Sequence, residues 1–230
     1  MIIKVKNLSL NKLIIAIQVL LLSPNLLNAQ ERIVDDAAIT TYRSFQIETW
    51  YAEYESAFIP AVSWNNWLET SVGLFFDTKN AFDFEQLMLE VKVISADYEE
   101  KGHAFALVVG TMIDKSAKLN ELYAFVPYSR LFMGSNVLHL NAGVTTYNFD
   151  SNMKAAVTYG ARADWEIHDR VDILTGLFAE NTTFGFYSGL RIQLIKDKLA
   201  LIPTYGRGFL RGLKEPGFSI QLSITPDTLW

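Results

Sequence analysis

Cysteine is absent from this chain of 230 residues, which excludes a disulfide scaffold, a zinc ribbon and a thiol nucleophile. Proline (6) and glycine (13) are too scarce for a collagen-like or linker-rich chain. Charge of one sign is also modest. The chain carries 20 basic and 25 acidic residues, a formal −5, and lacks the basic excess that marks a nucleic-acid partner. After Gln30 no apolar run reaches helix-spanning length, which argues against a helical membrane protein. There is no internal repeat, GxSxG, HExxH, P-loop or Cys/His cluster, so no cofactor, metal or catalytic residue is expected. What the chain does have is apolar residues, half of the total, with 13% aromatics. That excludes a disordered chain.

The N-terminus reads as an address. Lys4, Lys6 and Lys12 precede the apolar run Leu13–Leu22, Pro24 ends it, and Ala29 precedes Gln30. Basic residues, a short apolar core and a small residue make a secretory signal peptide over 1–29. The run falls well short of the ~20 residues that a membrane-spanning helix needs. Residues 30–41 are then expected as an N-terminal periplasmic segment and 42–230 as the folded domain.

That domain repeats one pattern. From Met153 to His168 the odd positions are Met, Ala, Val, Tyr, Ala, Ala, Trp and Ile, whereas the even ones carry Lys154, Arg162, Asp164, Glu166 and His168. Strand side chains alternate faces with a period of two, so one face is apolar and the other polar. The alternation is far longer than a soluble strand of about five or six residues. Around 68–76, 87–93, 138–144, 171–179, 184–194 and 218–224 the pattern returns. The polar face mixes charges with Gly, Ser and Thr. Segments of about ten residues, apolar toward lipid and polar toward an interior, are those of an outer-membrane barrel. Trp50, Tyr51, Trp64, Trp67, Tyr128, Phe132, Tyr147, Trp165 and Tyr205 lie near segment ends and suit interfacial girdles.

The fold class predicted is all-β, an antiparallel transmembrane β-barrel. Strands are expected near 42–54, 57–64, 67–77, 83–95, 103–113, 120–131, 135–147, 153–167, 170–180, 183–195, 198–207 and 217–225. Twelve strands is the first reading. Ten is the alternative, with residues 30–66 outside the wall. An even number puts both termini on the periplasmic side. Asn65-Asn66, Met133 to Ser135, His168-Asp169 and Lys196-Asp197 become periplasmic turns, and 114–118, 148–151 and 207–214 face outward.

Phase places Glu69, Glu90, Lys92, His139, Lys154, Arg162, Asp164, Glu166, Asp172, Glu180, Tyr187 and Arg191 as lumen-lining candidates. Buried charges must be paired or hydrated. Eight strands leave a packed interior and sixteen an open channel. Twelve therefore admits both a salt-bridged closed lumen and a narrow hydrated pore.

Several segments carry family resemblances. Glu215 to Leu222, with a terminal Trp230, resembles the assembly signal of outer-membrane proteins, although Pro226 interrupts it. Thr49-Trp50 and Ile59 to Trp64 resemble the start of the lipid A palmitoyltransferase barrel. The position matching that family's catalytic His is Asn65, and Asp114 and Ser116 are split by Lys115. His139-Leu-Asn141-Ala-Gly143 is similar to a segment of lipid A deacylases that lacks its nucleophilic Ser here. Leu138 to Gly143, Thr158 to Arg162, Glu180 to Arg191 and Thr204 to Gly206 look like the second half of uncharacterised transporter- or porin-like outer-membrane barrels. That likeness implies a non-enzymatic, porin-like passive channel or transporter for small polar solutes. The alternatives are a sealed structural or interaction barrel and a lipid A-modifying acyl-transfer enzyme. Expected partners are outer-membrane lipid and lipopolysaccharide, the barrel-assembly machinery and small solutes, with no nucleic acid.

Overall fold

Alternation with a period of two, punctuated by turn residues, builds strands and little else. The computed structural model describes residues 34–226 except 54, 81, 149–152, 182 and 209–216. The expected signal peptide and Trp230 lie outside the described residues. Among those described, the strands are β1 (Phe45–Ala52), β2 (Glu55–Ser63), β3 (Leu68–Asp77), β4 (Asp83–Ile94), β5 (His103–Asp114), β6 (Leu119–Phe132), β7 (Asn136–Tyr147), β8 (Lys154–His168), β9 (Val171–Glu180), β10 (Thr183–Ile195), β11 (Leu199–Gly208) and β12 (Gly217–Ile224). Each pairs antiparallel with its neighbours, and β1 closes on β12 into a barrel. The count is twelve, and the wall includes the region that the ten-strand alternative left out. Strand β1 starts at Phe45 instead of 42, because Arg43 sits in the left-handed region (φ 54°) and turns the chain before it can pair.

The start of β1 and the end of β12 lie at one mouth of the barrel, here the terminal end; the other is the distal end. A single helical turn, α1 (Tyr98–Lys101), joins β4 to β5 at the terminal end. Asp97 caps it by accepting the Glu99 N–H at 2.8 Å, and Gly102 stops it at φ 78°.

The outer surface is an apolar belt. Val72, Leu89, Phe105, Leu107, Val109, Val126, Val144, Val157, Leu177 and Ile220 are all exposed there. A belt of this extent on a closed barrel has no water-soluble purpose. The expected girdle needs two corrections. Trp50 and Tyr147 face inward: Trp50 packs against Phe75, with ring centroids 5.7 Å apart, and Tyr147 donates a hydrogen bond to Glu180. Both are on the inner phase of their strands, which outranks nearness to a strand end.

Glycines on the inner face have a packing reason. Tyr123 lies across Gly110, Phe125 across Gly143, Tyr187 across Gly176 and Phe178 across Gly185, each pair direct cross-strand partners. A Cβ on Gly143 would stand 2.3 Å from Phe125 Cβ and 2.6 Å from the Ala124 carbonyl oxygen. Neither atom is a flexible tip. Gly143→Ala is therefore expected to cost about 1–3 kcal/mol of overpacking strain. The check is the urea midpoint of the folded-to-unfolded gel shift, and an unchanged midpoint would refute the steric account.

Candidate functional site: a charged lumen crossed by an N-terminal strap

The interior falls into two halves. On the β1–β5 side, toward the distal end, Trp50, Ala57, Ile59, Phe75, Met88 and Met112 form a buried cluster with Tyr123 against it. The inner face is thus more apolar in this half than its sequence phase suggests. Carboxylates persist elsewhere on the inner wall. Glu90 accepts from the Tyr123 hydroxyl at 2.7 Å and from Ser71 Oγ at 3.3 Å, and Glu180 accepts from Tyr147 at 2.9 Å.

The half nearer the termini holds an ion network. Asp164 on β8 is 4% exposed and sits at its centre. Arg162 Nε donates to its Oδ1 at 2.8 Å, and Arg191 Nη1 donates to its Oδ2 at 2.9 Å. Arg191 Nη1 also lies 3.6 Å from Asp172 Oδ2. The period of two is what allows this: Arg162 and Asp164 share a face, and Arg191 and Asp172 are register partners on β10 and β9.

His139 joins the network from β7. Its Nε2 lies 3.4 Å from Asp164 Oδ2, and its Nδ1 lies 2.8 Å from Ser129 Oγ. Ser129 and His139 are direct partners across β6 and β7. The segment 139–143 has no Ser of its own, and the hydroxyl beside His139 comes from the adjacent strand, where sequence spacing cannot show it. Ser129, His139 and Asp164 have the connectivity of a hydrolase triad. Ser129 is fully buried, however, and its Oγ accepts the Ala37 N–H at 2.7 Å. The direction of the Ser129–His139 contact follows the ring tautomer: with the proton on Nε2, facing Asp164, Nδ1 accepts from Ser129 Oγ. In this state the chain of contacts acts as an anchor.

What it anchors is a strap. Residues 34–40, part of the segment 30–41 expected in the periplasm, run inside the barrel, and 41–43 are exposed at its mouth. Ser44 Oγ donates to the Pro226 carbonyl at 2.9 Å, fixing the strap's base at the β1–β12 seam. Thr40 N–H donates to Glu69 at 2.7 Å. Asn141 clamps Asp35 at two points: its Oδ1 accepts the Asp35 N–H at 2.7 Å and its Nδ2 donates to the Asp35 carbonyl at 2.8 Å. Lys92 Nζ lies 3.0 Å from Asp35 and 3.5 Å from Asp36. Arg162 Nη1 donates to the Val34 carbonyl at 2.9 Å. Val34, 1% exposed, packs against Phe178 and Tyr187, while Ala37, at 0%, packs against Ile94, Ala104 and Ala106. Tyr98 from α1 closes the terminal end, its ring edge-on to His139 at 6.1 Å. Burial, and then the Asp36 carboxylate, push the Tyr98 phenol up, so it stays protonated.

The twelve candidates therefore divide. Lys92, His139, Arg162, Asp164, Asp172 and Arg191 meet in or beside the network; Tyr187 and Glu69 touch the strap; Glu90 and Glu180 bind tyrosines. Lys154 and Glu166 are exposed at opposite ends of β8, outside the network. The residues matched to the palmitoyltransferase do not converge either. Asn65 accepts the Trp67 N–H in the β2–β3 turn, and Asp114 accepts the Ser116 and Lys118 N–H groups in the β5–β6 turn at the other end. Sequence reasoning missed Ser129, Asp35 and Ala37. Ser129 has an inward phase, but nothing in the period marks a strap.

No family model and no curated protein matches the chain. Solved structures do. One is the KdgM porin in complex with disordered oligogalacturonate, with a TM-score of 0.60 and 7% identity, covering 80% of this chain and 99% of that one. Another is the NanC porin, with a TM-score of 0.55 and 10% identity, covering 79% of this chain and 98% of that one. The chain has the fold of the porin-like outer-membrane barrels. At these identities the likeness is one of architecture. It gives the apolar belt its solvent, the bilayer.

Proposed function

We propose that this protein is a porin-like passive channel of the bacterial outer membrane, narrowed by its own N-terminal strap. The observation that carries the reading is the lumen's contents. A barrel sealed by its wall alone would fill its interior with wall side chains. Here residues 34–40 lie within the lumen, tied to wall side chains by hydrogen bonds and ion pairs. Water can replace such contacts as the strap leaves, a route out that a packed core lacks. The barrel's likeness to two porins supports the same reading.

The wall also indicates which solutes pass. Glu48, Glu69, Glu90, Asp164, Asp172 and Glu180 face the interior, against Lys92, Arg162 and Arg191. An acidic lumen favours small cations and neutral polar molecules over anions. That separates this chain from the oligogalacturonate-bound neighbour, whose ligand is anionic.

The test is single-channel conductance in a planar bilayer, for the wild type and for Asp35→Asn/Asp36→Asn. Discrete, cation-selective steps are expected, with a higher open fraction in the double variant. No steps from either protein, with folding shown by heat-modifiable migration, would refute the channel. The Trp50–Phe75–Met88 cluster would then favour the second reading, a sealed structural barrel.

A further inference from the structure

A separate constellation lies on the outer surface at the terminal end. A hollow of about 440 Å³ is lined by Lys101, Gly102, His103, Tyr128, Arg130 and Leu131. Gly102 turns the chain out of α1 at φ 78°, and its carbonyl accepts the Leu131 N–H at 2.9 Å. This sets His103 opposite Arg130, its register partner on β6. Lys101 ends the helix and is exposed, as are His103 and Arg130. Tyr128 forms the floor, with its ring 6.5 Å from His103 and 4.6 Å from Phe105.

Two properties make this more than a basic rim. First, among the described residues no carboxylate pairs with Lys101 or Arg130. Glu99 and Glu100 share the helix but do not line the hollow. Second, the outward phase continues from His103 into Phe105 and Leu107, each about half exposed. Unpaired cations thus stand at the edge of the hydrocarbon belt, where the headgroup layer of a bilayer lies. A ligand that satisfies both has an anionic head and a hydrocarbon tail.

We propose that this hollow binds the phosphate headgroup of an anionic phospholipid in the periplasmic leaflet, with an acyl chain along Phe105 and Leu107. The proposal rests on the outer-membrane reading of the barrel. Lys101 and Arg130 neutralise the phosphate, and the Tyr128 hydroxyl offers a hydrogen bond.

The experiment is native mass spectrometry of the full chain in phosphatidylcholine nanodiscs doped with phosphatidylglycerol. The wild type is expected to retain phosphatidylglycerol preferentially. Lys101→Ala/Arg130→Ala should lower that affinity about thirtyfold, as expected for two basic groups at a membrane surface. Phosphatidylcholine retention should not change. Lys115→Ala, at the distal end, should behave as the wild type. Equal phosphatidylglycerol retention by the double variant, or no preference in the wild type, would overturn the proposal. Displacement of the lipid by millimolar inorganic phosphate would reassign the hollow to free phosphate and overturn it equally. Failure to insert, read from the absence of heat-modifiable migration, would instead refute the outer-membrane reading.

Discussion

Asp164→Ala is expected to destabilise the barrel by about 3–5 kcal/mol, the cost of breaking a buried ion pair from one side. Asp164 is the shared acceptor of Arg162 and Arg191, at 2.8 and 2.9 Å, and lies 3.4 Å from His139. Removing it leaves two guanidinium groups side by side in a water-poor interior. Arg162 is held close, because its Nη1 also donates to the Val34 carbonyl. Among the described residues Arg191 retains only Asp172, 3.6 Å away. Like-charge repulsion then adds to the lost pairing. The measurement is the urea midpoint in lipid, read by the gel shift, for Asp164→Ala and for Asp164→Asn. The Asn variant keeps the shape and one acceptor oxygen, so it should fall between. A midpoint unchanged in both would mean that the network is hydrated and that water, not Asp164, balances the arginines.

The second large effect concerns the strap. The chain has no cysteine, so a thiol introduced by Ala37→Cys is unique. Ala37 is fully buried and bound through its N–H to Ser129, so a polar thiol reagent reaches this position only when the strap leaves. Labelling then reports the fraction of time the strap spends out. Adding Asp35→Asn/Asp36→Asn removes the two strap carboxylates paired with Lys92, whose side chain is 8% exposed, and leaves Glu69, its register partner on β3, nearby. Labelling should accelerate about a hundredfold, corresponding to about 3 kcal/mol of lost pairing. A bulky label should trap the strap outside and raise conductance permanently. Two results would sink this account: equal labelling rates in both backgrounds, or a rate matching Met133→Cys in an exposed turn.

The contrast between wall and strap shows what a period can encode. Along β8 the period of two puts Lys154, Arg162, Asp164 and Glu166 at even positions on one face, and Arg162 and Asp164 meet there. Phase carries no register, however. That Ser129 faces His139, or that Arg191 faces Asp172, depends on how two strands slide past each other. Trp50 and Tyr147 show the same rule from the other side: position near a strand end suggested a membrane girdle, but phase turned them inward. The triad-like contact of Ser129, His139 and Asp164 uses three strands, so no local motif could display it.

Residues 34–44 mark the clearest division. By itself the sequence determined an antiparallel barrel, with twelve strands as its first reading and ten as the alternative, the approximate strand ends and the alternation of the two faces. These follow from local physics, since a two-residue period and turn residues act within a strand or a hairpin. Only the tertiary structure decided that Asp35 and Asp36 meet Lys92, that Ala37 seals Ser129, and that Lys101, His103 and Arg130 ring one hollow. Those outcomes depend on long-range closure, which brings strands far apart in sequence around a common interior and lets a segment without period find its partners there.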